Sequence, residues 1–270
     1  MAEQLVPDEV WLAIQPLLPP KSPHPRGGRP WIEDRAVLGG IIYVLRAGVP
    51  WRLLPAKELG CGSGVTCWRR LRDWQQAGVW EALHHRLLDW LGDDGQVDWS
   101  RAAIDSVSVR ARRGGDLVGA NPVDRGKPGS KYHLLIDATG LPLAVGLSAA
   151  NTHDSQLLEQ VVDAVPAVIG PRGRPGRPRK RPAKLHADKG YDYPTCRRAL
   201  RRRGIIPRVA RRGVESNTRL GRHRWKVERS LAWLLANRRL TVRYERRADI
   251  LTAFLHLGCA LICARKLRPL

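Results

Sequence analysis

Three carboxylates stand where a charge needs a reason. The 270-residue chain holds 47 Lys+Arg against 25 Asp+Glu, so acids are scarce and their positions informative. Asp105 lies inside a stretch that alternates with period 2, sharing a face with Val107 and Val109. Asp188 closes a short apolar run and is followed by the turn-forming Lys189-Gly190-Tyr191-Asp192. Glu228 sits on a helical pattern, next to Val227 and on the side of Leu231 and Leu235. Each acid is at the edge of apolar structure, where an uncompensated charge is costly. If the three converge they repel one another, and hard divalent cations relieve that conflict through oxygen ligands. Two such ions about 3.5–4 Å apart activate an attacking oxygen and stabilise a leaving one in phosphoryl transfer. The plainer alternative is three separate salt bridges to the abundant arginines.

The elements that must hold these acids are legible as two regimes. Up to about residue 95 the pattern is helical, with an Asp8-capped helix, a stripe of Val37, Leu38, Ile41, Ile42 and Leu45, and helices over 66–76 and 79–91. The last two resemble a helix-turn-helix, whose second helix commonly enters a major groove. On the first of them Trp68, Leu71 and Trp74 turn inward and Arg69, Arg70 and Arg72 largely outward. From residue 102 the period becomes 2, with strands expected over 103–111, 131–138 and 143–148, then shorter ones over 184–188 and 205–210. Helices fall between and after them, giving an α/β order with a mixed five-stranded sheet. Residues 112–130 read as a mobile flap. The basic loop 170–183 reads as an arm that cannot build a core. The division expected is a helical domain over 1–95 and an α/β domain over 96–270.

A formal charge of +22 predicts a polyanionic partner, because cations placed against phosphates release condensed counterions. With 43% hydrophobic residues the chain is not globally disordered. No apolar run approaches the roughly 20 residues of a membrane helix, and the first residues lack a signal-peptide pattern. Five cysteines without a Cys-x-x-Cys pair fit reduced thiols in a cytoplasm. The arginines Arg197, Arg198, Arg201, Arg202 and Arg203, with Arg208, Arg211, Arg212, Arg219, Arg222 and Arg224, form a basic block that favours phosphate contact. Asp137 is expected to serve a turn, Asp154 to cap a helix, and Asp192 to support the turn after Asp188. His186 could hydrogen-bond behind Asp188, or be an ordinary strand histidine.

The motifs IDSVSVRA (104–111), DRGKPGSKYHLLIDATGLPLAV (124–145), NTHDSQLL (151–158), HADKGYD (186–192) and RWKVERSLAWLLANRRLTVRYERRADI (224–250) resemble bacterial insertion-sequence transposases. The branch is the DDE class, close to insertion sequence family five, and GGRPWIEDRAVLGGIIYVLRAGVPWRLLP (27–55) resembles its N-terminal region. The resemblance implies an RNase-H-like catalytic domain after the small all-α, helix-turn-helix-like one. It implies Asp105, Asp188 and Glu228 as catalytic residues holding Mg²⁺, or Mn²⁺ in its place. Its partners would be double-stranded DNA at the element ends and at the target, with no membrane, handled by at least a homodimer. Rival readings are an endonuclease of the same fold without strand transfer, and a non-catalytic DNA-binding regulator. Relatives carry tyrosine, arginine, glutamate and lysine around the helix glutamate. Here Arg224 and Glu228 match, while Gly221 and Leu235 stand in the tyrosine and lysine places. Arg238 or Arg239, one turn on, could take over the lysine's DNA contact.

Overall fold

The computed structural model describes residues 5–21, 30–173, 176–214 and 217–267, and of 217–224 the backbone alone. The described part of the chain opens on the helices α1 (Asp8–Ile14), α2 (Asp34–Ala47), α3 (Gly64–Gln76) and α4 (Val79–Asp93). The expected stripe of α2 is fully buried, and the helix stops at Gly48, whose φ of 71° lets its N–H reach back to the Val44 carbonyl. At the start of α3, Ser63 caps with its Oγ on the Thr66 N–H at 3.1 Å. Gly64 permits a close crossing there, since a Cβ would lie 1.9 Å from the Trp51 carbonyl oxygen.

The sheet is built from β1 (Ala102–Ala111), β2 (Gly119–Ala120), β3 (Pro128–Asp137), β4 (Pro142–Ala149), β5 (Lys184–Ala187), β6 (Ile206–Val209) and β7 (Val242–Arg243). Its main order is β4-β3-β1-β5-β6. β3 runs antiparallel to both of its neighbours, β4 and β1, and β5 and β6 continue parallel to β1. This is the RNase-H-like sheet, with the two-residue β2 and β7 added to the five strands expected.

Alternation along β1 assigns the helices to faces. The face of Ser106, His133 and Gly146 is turned to α5 (Asp154–Asp163): Ser106 Oγ donates to Asp154 at 2.9 Å, and a Cβ on Gly146 would press on Val161 at 2.8 Å. Beside α5 lies α6 (Pro194–Arg202), joined to it by Arg203 on Asp163. The opposite face carries Asp105, Val107 and Tyr132, and is covered by α7 (Asn217–Leu235), α8 (Arg238–Thr241) and α9 (Ala248–Ala264). Tyr132 fixes that side with its hydroxyl on the Leu240 carbonyl at 3.2 Å.

The apolar α9 is buried along most of its length, Cys259 and Cys263 included, between the sheet and the N-terminal helices. Trp51 stacks on Phe254 with ring centroids 6.1 Å apart, and Arg239 donates to the Val49 carbonyl at 3.1 Å. One hydrophobic core therefore runs across residue 95. This packing corrects the helix-turn-helix expectation. The second helix, α4, buries Val79, Trp80, Leu83, Leu87, Leu88 and Leu91, largely against α9, and cannot enter a groove. Residues 112–130 are also not a loose flap. Arg112 N–H donates to the Arg243 carbonyl at 2.9 Å, and the fully buried Arg243 bonds Leu117, Ser130, Glu245 and Arg246. The basic tract is anchored at both ends, by an antiparallel bridge between Val168 and Arg179 and by Arg172 on Asp93 at 2.7 Å.

Candidate active site

The register of β1 and β5 decides how the first two acids meet. Ala102 pairs with Leu185 and Ala103 with His186, in parallel. Two residues further on, Asp188 stands level with Asp105, on the same face of the sheet. Asp188 is the residue just past β5, in extended conformation, where it caps a short turn by accepting the Gly190 N–H at 2.8 Å. Gly190 leaves room for that carboxylate, because a Cβ there would lie 2.9 Å from Asp188 Oδ1. Asp105 Oδ1 accepts the Ser106 N–H, also at 2.8 Å. Main-chain N–H groups thus help to orient both acids.

Glu228 arrives from above on α7. Val227, Ser230, Leu231 and Leu234 form the buried edge of that helix, which lies over β1, β3 and β5. Ser230 Oγ donates to the Gly140 carbonyl at 2.8 Å, Arg229 to that of Thr139 at 2.9 Å, and Lys226 to that of Ala138. The turn they grip is held by Asp137, whose Oδ1 accepts N–H groups of Thr139, Gly140 and Leu141 and whose Oδ2 accepts that of Asp98. Asp137 does serve the turn, as expected, although burial still lifts its carboxyl above the usual range. Glu228 itself is exposed. Among the described residues no three acids, histidines or cysteines lie close enough to hold a metal together. The structure brings Asp105 and Asp188 together and leaves Glu228 on the overlying helix. Two level carboxylates are an oxygen donor set that suits a hard divalent ion, which takes its remaining ligands from water.

Beneath the pair lies a polar cluster that sequence reasoning misassigned. Asp154 caps nothing: His153 caps α5, and Asp154 accepts Ser106 Oγ and pairs with Lys131 at 2.9 Å. Tyr191 is fully buried, and its phenol is pushed well up by burial and by the neighbouring Asp154, Asp105 and Asp188. The alternation of Lys131 with Tyr132 was the available signal for this cluster. Asp192 braces the next loop rather than Asp188, accepting Arg197 at 2.7 Å and the Arg212 N–H at 2.9 Å.

The arginines divide. Arg69, Arg201 and Arg238 are exposed. Arg70 lies over the Trp31 ring at 4.5 Å and beside Asp34, and Arg72 pairs with Asp73 at 2.7 Å while lying over Trp68. Arg197 is spent on Asp192 and the Val209 carbonyl. Arg239 is buried, with Nε 2.7 Å from Glu245 Oε1, and so cannot take the lysine's place on DNA. The Arg224 side chain lies outside the described residues. Trp225 is exposed, with Arg229 over its ring.

Comparison with known proteins shows the family of the chain. Residues 100–263 match the family described as "Transposase DDE domain", and residues 6–84 match "Putative transposase of IS4/5 family". The chain is a DDE transposase of a bacterial insertion sequence. The transposase is 51% identical over 168 residues to a "Putative transposase for insertion sequence element IS402" of Burkholderia cepacia, covering 62% of this chain and 76% of that protein. It is 54% identical over 124 residues to an "Insertion element IS402 uncharacterized 16.2 kDa protein" of the same organism, covering 45% of this chain and 84% of that one. Among solved structures, a Mos1 transposase paired-end complex aligns at 14% identity and a TM-score of 0.26, over 70% of this chain and 61% of that one. DDE transposases act on DNA with divalent metal ions. Among the described residues no helix is long and apolar enough to cross a membrane.

Proposed function

We propose that Asp105, Asp188 and Glu228 form the catalytic site, and that the transposase uses it to cut DNA at the ends of its element and join the freed 3′ hydroxyl to a target. The observation that carries this reading is the level placement of Asp105 and Asp188 on adjacent parallel strands. Mg²⁺ is the ion assigned, with Mn²⁺ as a substitute; the two aspartates would hold it, and Glu228 would have to close in from α7 to complete the set. Once bound, such an ion supplies an activated attacking oxygen and charge stabilisation for the leaving one. The chain's own part is positioning. The Gly190 and Ser106 N–H groups aim the two aspartates, and the clasp of α7 on the β3–β4 turn sets where Glu228 can reach.

The element ends are assigned to the outer side of α3, where Arg69 is exposed, and to Arg238 beyond α7. Such phosphate contacts position DNA without reading its sequence. Joining two ends requires two active sites, so the working complex is at least a homodimer. Titration of the protein with Mn²⁺ by calorimetry tests the site without turnover. Asp105→Asn is expected to weaken Mn²⁺ binding at least tenfold with the fold intact. Unchanged binding would remove Asp105 from the site.

A further inference from the structure

Three side chains other than the acids meet at the turn that follows Asp188. His153 stands at the start of α5, Tyr193 at the start of α6, and Arg212 in the loop after β6. The Tyr193 and His153 rings meet edge-on with centroids 5.3 Å apart, and the Arg212 guanidinium lies over the Tyr193 ring at 5.0 Å. Hydrogen bonds tie this cluster to the turn. Arg212 Nε donates to the carbonyl of Lys189, the residue after Asp188, at 3.1 Å. The Tyr193 N–H donates to the Tyr191 carbonyl at 2.8 Å.

The protons in the cluster can be assigned. His153 Nδ1 accepts the Ser155 N–H at 3.3 Å, so Nε2 carries a proton, and it points to the Tyr193 hydroxyl at 3.5 Å. Arg212 Nη2 donates to the same hydroxyl at 3.2 Å. The phenol oxygen therefore accepts from both neighbours, and its own proton is left to donate. Among the described residues Arg212 Nη1 has no acceptor, and Arg212 and His153 are exposed. The nearby carboxylate of Asp192 is already taken by Arg197 at 2.7 Å and by the Arg212 main-chain N–H at 2.9 Å. The cluster thus offers donors and a positive charge, and a guanidinium beside a hydroxyl suits a phosphate.

β5 and β6 run parallel with Ala187 level with Val209, so Asp188 and the loop of Arg212 leave the same end of the sheet. Ligands of open α/β sheets gather at such carboxyl ends. Asp188 shares the α7 face with Asp105, whereas the cluster sits at the end of the sheet, on the turn itself. The two places suit different phosphates of one strand.

We infer that Arg212 and Tyr193, with His153 behind them, bind a backbone phosphate flanking the one placed at Asp105 and Asp188. This rests on the transposase site proposed above. Such a contact fixes where the strand lies and carries no base information.

The test uses element-end duplexes in which single phosphates around the boundary are replaced by neutral methylphosphonates. Fluorescence follows their binding, without divalent ions, to wild type and to full-length Tyr193→Phe and Arg212→Gln, and cutting is followed with Mg²⁺. In wild type, neutralising the contacted phosphate should weaken binding by about tenfold, the scale of a charge-assisted hydrogen bond. Each variant should bind the unmodified duplex more weakly by a similar factor and lose nothing further at that phosphate. At every other phosphate it should respond as wild type does. Tyr193→Phe removes only the hydroxyl and keeps the ring contacts, and a melting temperature matching wild type confirms that each variant is folded. Variants as sensitive as wild type at every position would make the cluster a brace of the loop. Sensitivity lost only at phosphates remote from the boundary would place it on another stretch of DNA. Either result overturns the inference. A wild type that binds the duplexes and cuts none counts against the underlying reading, while the cluster is still judged from binding.

Discussion

His84 on α4 places its Nε2 2.8 Å from the carbonyl oxygen of Pro142, the first residue of β4. A carbonyl only accepts, so Nε2 carries the proton and Nδ1 is bare. That Nδ1 is buried without a hydrogen-bond partner, and the His256 ring of α9 lies 5.8 Å away. The N-terminal helices thus meet the catalytic sheet through imidazoles that must remain neutral.

This contact makes stability depend on pH in a stated direction. Burial, with the neighbouring His256 and His85, holds His84 down to about 3, and burial holds His256 and His133 down to about 4. All three folded values lie below the ordinary histidine value of about 6.5. The unfolded chain therefore takes up protons first, and stability present above about pH 6.5 is lost as pH falls toward 4. Thermal melts at pH 7.5, 6.0 and 5.0 should show a falling midpoint, and His84→Gln should flatten the decline. A midpoint that does not move over this range would contradict the neutral-histidine contact.

Arg239→Ala should destabilise the fold without touching DNA recognition. It would strand Glu245 in a buried position, and breaking such a pair costs about 3–5 kcal/mol. Denaturant unfolding should show the loss, while the salt slope for binding element ends stays as in wild type. A lower slope would place Arg239 on DNA after all.

Gly64→Ala should distort the start of α3. A methyl group there would lie 1.9 Å from a main-chain oxygen that cannot swing away as a side chain would. Overpacking of this kind costs about 1–3 kcal/mol, and the rigid neighbour argues for the upper end. The same variant should weaken binding of the element ends, because α3 carries the exposed Arg69. Wild-type stability would show that the loop around Trp51 yields easily.

Much of this fold was written in local pattern, and the exceptions share one cause. The change of period at residue 102 located all five main strands, and every residue of the α2 stripe is buried, with Gly39, Gly40 and Val44 buried beside it. Asp105 and Asp188 stood out because acids are rare in this chain and both interrupt apolar strands. What pattern could not supply was the identity of distant partners. Arg239 and Arg70 look like any exposed cation until Glu245 and Trp31 are brought against them. Asp154 looked like a cap because the local sequence allows one, but Ser106, 48 residues away, claims it. The helix α4 seemed available to DNA because nothing near it in sequence announces that α9 will cover it.

The central claim is that Asp188 is part of a metal-dependent DNA-cutting site. The most direct measurement incubates a supercoiled plasmid carrying the element's own ends with Mg²⁺ and either wild type or Asp188→Asn. The account predicts cuts at the element boundary by wild type alone, with DNA affinity of the variant equal or slightly raised. Boundary cutting by Asp188→Asn at the wild-type rate would contradict it.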